Sequence, residues 1–533
     1  MLFLTGNSAI APTTDQADTI RYNMSTSINL TMPLLSLPHE ILLLITQQLD
    51  LCRDLLRVIC LNRFCYNLFI SDLYKRDVAS TGGFVLIWQA DRGFETGVRE
   101  MIAAGANVDL QHPLLQRTPL LMAIRQSHAH VVKILLENGA TPDLMDSMSN
   151  SPLSLSISSG LCDGLAIPKM LLDYGADVNL RGRRHEHSPL FIAVKFCESS
   201  VIQLLIDRGA DVHFREAETE MTMLHAAAEK ARPLEIVKVL VEAGVDADSR
   251  ESSGMTPLMV AASKGATSTV QALLDCGADI HLSTPEGRIA LHFAANSEER
   301  HTAETVRLLM DRGVDPNVRD AQQCTPLHVT REEEGESLKR AKLLLDYGAD
   351  LQARDIEGKT VLHHFSKRRH LELVKWAYER GVDVNCTDHN GGTPLLSSVK
   401  PPSIRDREAP ETTQTLIELE ADVNMVNSQL ISPLCFAAGT GCFESASALV
   451  QHGANVHHKD ENGCTPLHWS TGGPERLRPL YRIDGALKTI QLLLDRGAEV
   501  NVRNLAGETP LGMGLQVEYT RVQDRLQEAG GVG

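Results

Sequence analysis

Five histidines, His225, His292, His328, His363 and His468, are the most regularly placed chemistry-bearing residues of the chain, each following a leucine in a phrase that reads Thr-Pro-Leu-His at 325–328 and 465–468. An imidazole is the usual general acid or base near neutral pH, but a catalytic one needs its own distinct partner. Five copies in one register point instead to a structural hydrogen bond within a turn. A second candidate is the basic run Arg181-Gly182-Arg183-Arg184-His185-Glu186-His187, in which Arg183 and Arg184 could hold an acidic or phosphorylated segment. The same run also reads as a solvated turn tip. Its His185-Glu186-His187 spacing is not H-E-x-x-H and has no third ligand nearby, so no metal site is read there. A third candidate follows Gly472-Gly473-Pro474, where Arg476, Arg478, Tyr481 and Arg482 suit partner contact, or else form a tolerated surface insertion. No Gly-rich phosphate loop, G-x-S-x-G or Cys–His signature is present, so the chain reads as having no catalytic residues and no cofactor.

The elements that carry these residues recur. Thr118-Pro119-Leu120, Ser151-Pro152-Leu153, Ser188-Pro189-Leu190, Thr256-Pro257-Leu258, Thr325-Pro326-Leu327, Thr393-Pro394-Leu395, Ser432-Pro433-Leu434, Thr465-Pro466-Leu467 and Thr509-Pro510-Leu511 repeat one phrase, with looser copies at 222–224, 289–291 and 360–362. A Thr or Ser oxygen caps exposed N–H groups at a helix start, and proline fits the first turn, where its missing N–H has no partner. Each phrase therefore opens a short helix. An apolar pair followed by glycine closes each unit, as in Leu135-Leu136 before Gly139 and Leu171-Leu172 before Gly175. Glycine takes the left-handed conformation that ends a helix. Successive stop glycines from Gly105 to Gly381 are 34, 36, 34, 35, 33, 36, 35 and 33 residues apart.

With that period, Thr-Pro-Leu-His at 325–328 and 465–468, and Gly-Ala-Asp-Val-Asn at 175–179, the chain resembles the ankyrin-repeat family over about residues 82–530. The resemblance implies an all-α solenoid of about thirteen helix-turn-helix units with hairpin-like turns, whose short first helices and turn tips line a protein-binding groove. No unit can bury its own apolar face, so stability must come from neighbours. Leu344 and Leu493 are expected at such interfaces. Two places depart from the pattern. Glu420 stands where a stop glycine is expected, 39 residues after Gly381, with Pro401, Pro402 and Pro410 in the enlarged loop, and Gly453 and Gly497 are 44 residues apart. Position 420 is the expected weak joint.

Residues 34–80 break the period. Ser36, Pro38 and Glu40 suit a helix start, and Ile41, Leu42, Ile45 and Leu49 follow at helical spacing, with a second apolar helix from Asp54 and a third beyond. The Leu37-Pro38-x-Glu40-Ile41-Leu42 opening and the Asp54-Leu55 start resemble an F-box of the kind placed ahead of ankyrin arrays. That resemblance implies docking of the Skp-family adaptor of a cullin-RING ubiquitin ligase through residues drawn from Leu37, Pro38, Ile41, Leu42, Leu55 and Val58, with a target protein held by the repeats. The other reading is a helical cap on the first repeat. Residues 1–33 read as a flexible leader without a secretory signal, and Met24 and Met32 leave the true start open.

Composition bounds the partners. At 533 residues the chain exceeds one core, and aromatics at 4% favour small stacked helices over an aromatic core. A formal charge of −17 argues against nucleic acid or anionic lipid as partner. No run of about 18–20 apolar residues is available to span a membrane. Eleven cysteines without C-x-x-C pairs read as reduced thiols in the cytoplasm or nucleus, free of disulfides and zinc. Outside its complex the chain is expected to be monomeric.

Overall fold

The computed structural model describes residues 63–158, 165–182, 187–230, 232, 234–300, 302–331, 336–399, 410–471, 483–515 and 520–533. Every regular element among them is a helix. The chain divides into two compact units, Met1–Asp177 and Val178–Gly533, and each is described by itself.

Among its described residues the first unit contains the helix Arg63–Thr81 and three helix pairs, Phe84–Arg92 with Glu95–Ala103, Pro119–Arg125 with Ala129–Glu137, and Pro152–Ser158 with Ala166–Asp173. The leading helix docks on the first pair. Leu73 and Tyr74 are buried, Gln89 donates its side-chain N–H to the Tyr74 hydroxyl at 2.9 Å, and the backbone N–H of Val85 donates to Asp77 at 2.9 Å. The third helix expected in the F-box-like segment is thus a 19-residue helix that covers the start of the repeats. The remainder of that segment lies outside the described residues.

Among its described residues the second unit contains ten further pairs, from Pro189–Phe196 with Ser199–Asp207 to Pro510–Leu515 with Thr520–Glu528. In both units the first helix starts as its residues dictate. Thr118, Ser188 and Ser432 each accept a hydrogen bond at 3.2 Å from the N–H three residues on, with proline at the first helical position. The second helix presents one apolar stripe. Leu135 and Leu171 in the first unit, and Leu205, Leu240, Leu273, Leu309, Leu344, Leu416, Leu449 and Leu493 in the second, have no solvent exposure. At roughly 1.5–3 kcal/mol for each buried leucine, these interfaces supply the main favourable contribution.

The stop after the second helix needs a positive φ. Gly348 has φ +93°, and a Cβ there would meet nothing within 4 Å, so the left-handed backbone itself demands glycine. Glu420 adopts the same conformation with φ +66°, and its carbonyl still accepts from the Asn385 amide at 3.4 Å. An L side chain held there costs about 1–2 kcal/mol, partly offset by the entropy that glycine would lose.

Beyond each stop, the turns of consecutive repeats are joined by polar groups. The Asn317 amide donates to the Gly348 carbonyl at 2.9 Å and accepts from the Asp350 N–H at 2.7 Å, and Asn179, Asn385, Asn424 and Asn501 do the same one repeat along. Turn tips are also linked backbone to backbone, as in Ala321 N–H to Glu286 O at 2.7 Å and Ile356 N–H to Gln322 O at 2.9 Å. Register between repeats is therefore fixed by directional bonds and by apolar packing together.

Leu344→Ala or Leu493→Ala should lower stability by about 2–5 kcal/mol in urea unfolding, whereas Leu505→Ala, at a residue 81% exposed, should stay within about 0.5 kcal/mol. Glu420→Gly should leave stability unchanged or raise it by up to about 1 kcal/mol, the reverse of the usual effect of introducing glycine.

Candidate functional site

The repeated histidines are consumed by the fold. Backbone N–H groups of Thr222, Thr325, Thr360 and Thr465 donate to Nδ1 of His225, His328, His363 and His468 at 3.1–3.2 Å, and the Ile289 N–H donates to His292 at 3.3 Å. With Nδ1 accepting, the proton sits on Nε2. It points one repeat onward, to the carbonyls of Met255, Cys324, Gly392 and Glu508 for His225, His292, His363 and His468, at 2.9–3.2 Å. The turn bond is as expected from the sequence. The reach into the next repeat was not foreseen, because it depends on register between units rather than on local spacing. Burial pushes all five imidazoles below the usual histidine range, His328 and His363 to about 4.

At several described interfaces the turn acid of one repeat meets the residue before the preceding repeat's helix cap, or the residue four beyond its own repeat's cap. In the first unit Arg117 pairs with Asp146 at 3.5 Å. In the second, His187 meets Glu216 at 2.6 Å and Arg288 meets Asp320 at 3.1 Å. The turn carboxylates also accept backbone N–H groups, Asp320 from Gln322 and Cys324, and Asp460 from Asn462 and Cys464, all at 2.8–2.9 Å. Asp460 takes a further bond at 2.8 Å from the indole N–H of Trp469, four residues beyond the Thr465 cap. These acids organise turns, which leaves them no role as free general bases.

Arg340 is another buried group that the sequence did not signal. Fully buried in the helix Glu336–Asp346, its guanidinium donates to the carbonyls of Ser297 at 2.6 Å and Arg331 at 2.7 Å and to the Thr302 hydroxyl at 3.0 Å. It closes the irregular segments beside two repeats.

What remains for a partner is the exposed set. Leu114, Leu115 and Met148 in the first unit, and Ile356, Leu430 and Leu505 in the second, are apolar side chains at turn tips with 42–81% exposure. Two of them could have been read from the sequence, since Ile356 and Leu505 directly follow the turn residues Asp355 and Asn504. Of the expected contact residues, Arg183, Arg184, Arg476, Arg478, Tyr481 and Arg482 lie outside the described residues, as do Leu37, Pro38, Ile41, Leu42, Leu55 and Val58. The flanks of the basic turn are described: Arg181 stacks on Phe214 at 4.7 Å and faces Asp211 at 3.7 Å.

Paired helices, glycine stops and cross-repeat turns of this kind define a protein-interaction scaffold. The chain belongs to the ankyrin-repeat family: the profile of ankyrin repeats in three copies matches residues 86–182, 190–284, 259–355 and 403–504, and that of ankyrin repeats in many copies matches 344–395. Similar relatives include the E3 ubiquitin-protein ligase KEG of Arabidopsis thaliana, 27% identical over 38% of this chain and 13% of that protein. They include the nuclear factor NF-kappa-B p105 subunit of Gallus gallus, 33% identical over 32% and 17%, and ankyrin repeat and SOCS box protein 16 of Mus musculus, 37% identical over 40% and 46%. The chain thus spans less than half the length of each. Among solved structures, the human ASB11 ankyrin repeat domain is 27% identical, with 43% of this chain and 98% of that one covered and a TM-score of 0.37. The ankyrin repeat domain of Bcl-3 gives 26%, 43%, 98% and 0.36.

Because the buried histidines hold their protons less tightly when folded than when unfolded, acid favours the unfolded chain. Their contribution is intact above pH 6.5 and is lost as pH falls through about 4. For His363 the shift corresponds to on the order of 3 kcal/mol. Urea unfolding between pH 7.5 and 4 should show stability dropping from about pH 6.5 downward, and His363→Asn should flatten that slope while lowering stability at pH 7.5.

Proposed function

We propose that the protein is the substrate-recognition subunit of a cullin-RING ubiquitin ligase, its F-box-like segment docking the Skp-family adaptor and its ankyrin repeats holding a target protein. The observation that carries the binding half is the division of labour within each repeat. The residues repeated in register, namely capping Thr and Ser, His, Leu, Gly and Asn, are used in the fold, while those that vary at the tips, such as Leu114, Ile356 and Leu505, are exposed. Apolar anchors on a rigid frame are what a protein partner uses. The ligase half is supported by the Leu37-Pro38-x-Glu40-Ile41-Leu42 pattern and by an E3 ubiquitin-protein ligase among the relatives. In this reading the chain supplies proximity between target and transferring enzyme and performs no chemistry itself. No helix among the described residues is long and apolar enough to cross a membrane, and the described cysteines are all free, which suits the reducing cytoplasm or nucleus.

A second reading has its own support. The helix Arg63–Thr81 packs against the first pair through Tyr74 and Asp77, as a cap would. In that case the chain is a scaffold or inhibitor outside any ligase.

Calorimetric titration of the full chain with purified Skp-family adaptor separates the two. Binding that is lost in Leu37→Lys/Pro38→Lys, with helicity retained, is expected of a ligase subunit. No binding by the unaltered chain favours the scaffold. For the repeats, Ile356→Glu or Leu505→Glu should weaken an affinity-purified target by about 1 kcal/mol or more without altering adaptor affinity or unfolding.

A further inference from the structure

At one place this meeting point takes a different chemical form. There it joins Cys324, which precedes the Thr325 cap, Asp355 in the next turn, and His364, four residues beyond the Thr360 cap. One ligand atom from each lies within 4.8 Å of the others, and no other described group of His, Cys, Asp and Glu meets that condition. The equivalent residues at the last interface are Cys464, Asn504 and Met513. There the Asn504 amide donates to both sulfurs, at 3.7 Å and 3.6 Å, so the same scaffold brings three side chains together without forming a ligand set.

We propose that Cys324 Sγ, Asp355 Oδ2 and His364 Nε2 bind one divalent cation of the zinc class and thereby staple two adjacent ankyrin repeats. The donors suit it: thiolate, imidazole and carboxylate together select a borderline-soft ion. The ligands are also held from behind. Asp355 is fixed by N–H groups of Glu357 and Lys359 on its other oxygen, at 3.0 Å and 2.8 Å, and the carbonyl of Cys324 is held by His292. His364 Nε2 and Asp355 Oδ2 stand at hydrogen-bond distance, 2.7 Å. Ligand atoms around a tetrahedral zinc stand roughly 3.3–3.8 Å apart, so the pair opens by about 1 Å while the sulfur closes by a similar distance. The ion then takes the place of that hydrogen bond: a neutral His364 keeps its proton on Nδ1, an imidazolium releases its Nε2 proton to solvent, and the thiol proton leaves to solvent as the sulfur–metal bond forms. Burial, and then the charges of Asp320 and Asp355, push the Cys324 thiol up to about 12, partly opposed by Arg368 and Arg288, so the ion itself must displace the thiol proton. With three protein ligands, the fourth position is left for water. His364 keeps 17% of its side-chain surface exposed, which gives the ion an entry path. Metal supply would thus tune the stiffness of one joint in the array.

The test is titration of the full-length, metal-stripped chain with Co2+ and, separately, Zn2+. The expected result is one equivalent of Co2+ with a thiolate-to-cobalt absorption band, displaced by Zn2+, and a higher unfolding temperature with Zn2+. Cys324→Ala should abolish the band and the thermal shift, and His364→Gln should weaken Co2+ binding by more than about a hundredfold. Circular dichroism checks that each variant folds, and if Cys324→Ala does not, the part-exposed His364→Gln decides. Absence of uptake by the unaltered chain, an equal band in Cys324→Ala, or unchanged Co2+ affinity in His364→Gln overturns the proposal.

Discussion

Everything in this protein depends on apolar side chains that a helix pair cannot cover by itself. Leu309 or Leu344 sits on a two-helix unit too thin to enclose it, and its lack of exposure is supplied by the pairs before and after. Such stability is a sum over neighbours rather than the property of one core. Apolar contact alone does not set register, however. The histidine that caps its own helix and donates to the following repeat, and the asparagine that ties one stop to the next turn, make one alignment far better satisfied than any other. Left unpaired, a buried histidine of this set would cost about 1–3 kcal/mol, whereas the more exposed asparagines act through direction more than through burial.

That requirement explains how function and structure are partitioned. Residue types that look reactive, namely histidines in register and acids at turns, are spent on alignment, and their buried neutral or hydrogen-bonded states follow from it. The positions free to vary are the tips and outer faces, where exposed Ile356, Leu430 and Leu505 change nothing in the interfaces behind them. Recognition can therefore diversify without loss of fold, as expected of a binding scaffold.

Much of this was legible in the sequence, for a physical reason. Caps, prolines and stop glycines act locally, so Thr325-Pro326-Leu327-His328 and Gly348 declare themselves within a few residues. Even the irregular Glu420 was visible as a missing glycine, and it takes the positive φ of the stop glycines elsewhere. What was hidden depends on which residue of one repeat faces which of the next. Arg288 with Asp320, the burial of Arg340, and the meeting of Cys324, Asp355 and His364 follow from stacking register and carry no sequence motif. Residues 34–62 were read from a short pattern and lie outside the described residues, so the adaptor-docking reading still rests on that pattern.

Hydrogen–deuterium exchange of the intact chain carrying Leu309→Ala tests neighbour dependence most directly. Stability summed over neighbours predicts faster exchange in Thr302–Asp311 and in the flanking helices Thr267–Asp275 and Glu336–Asp346, with Pro433–Thr440 and Phe443–Gln451 unchanged. Uniformly faster exchange along the whole of residues 189–528, or acceleration confined to Thr302–Asp311 alone, would contradict it.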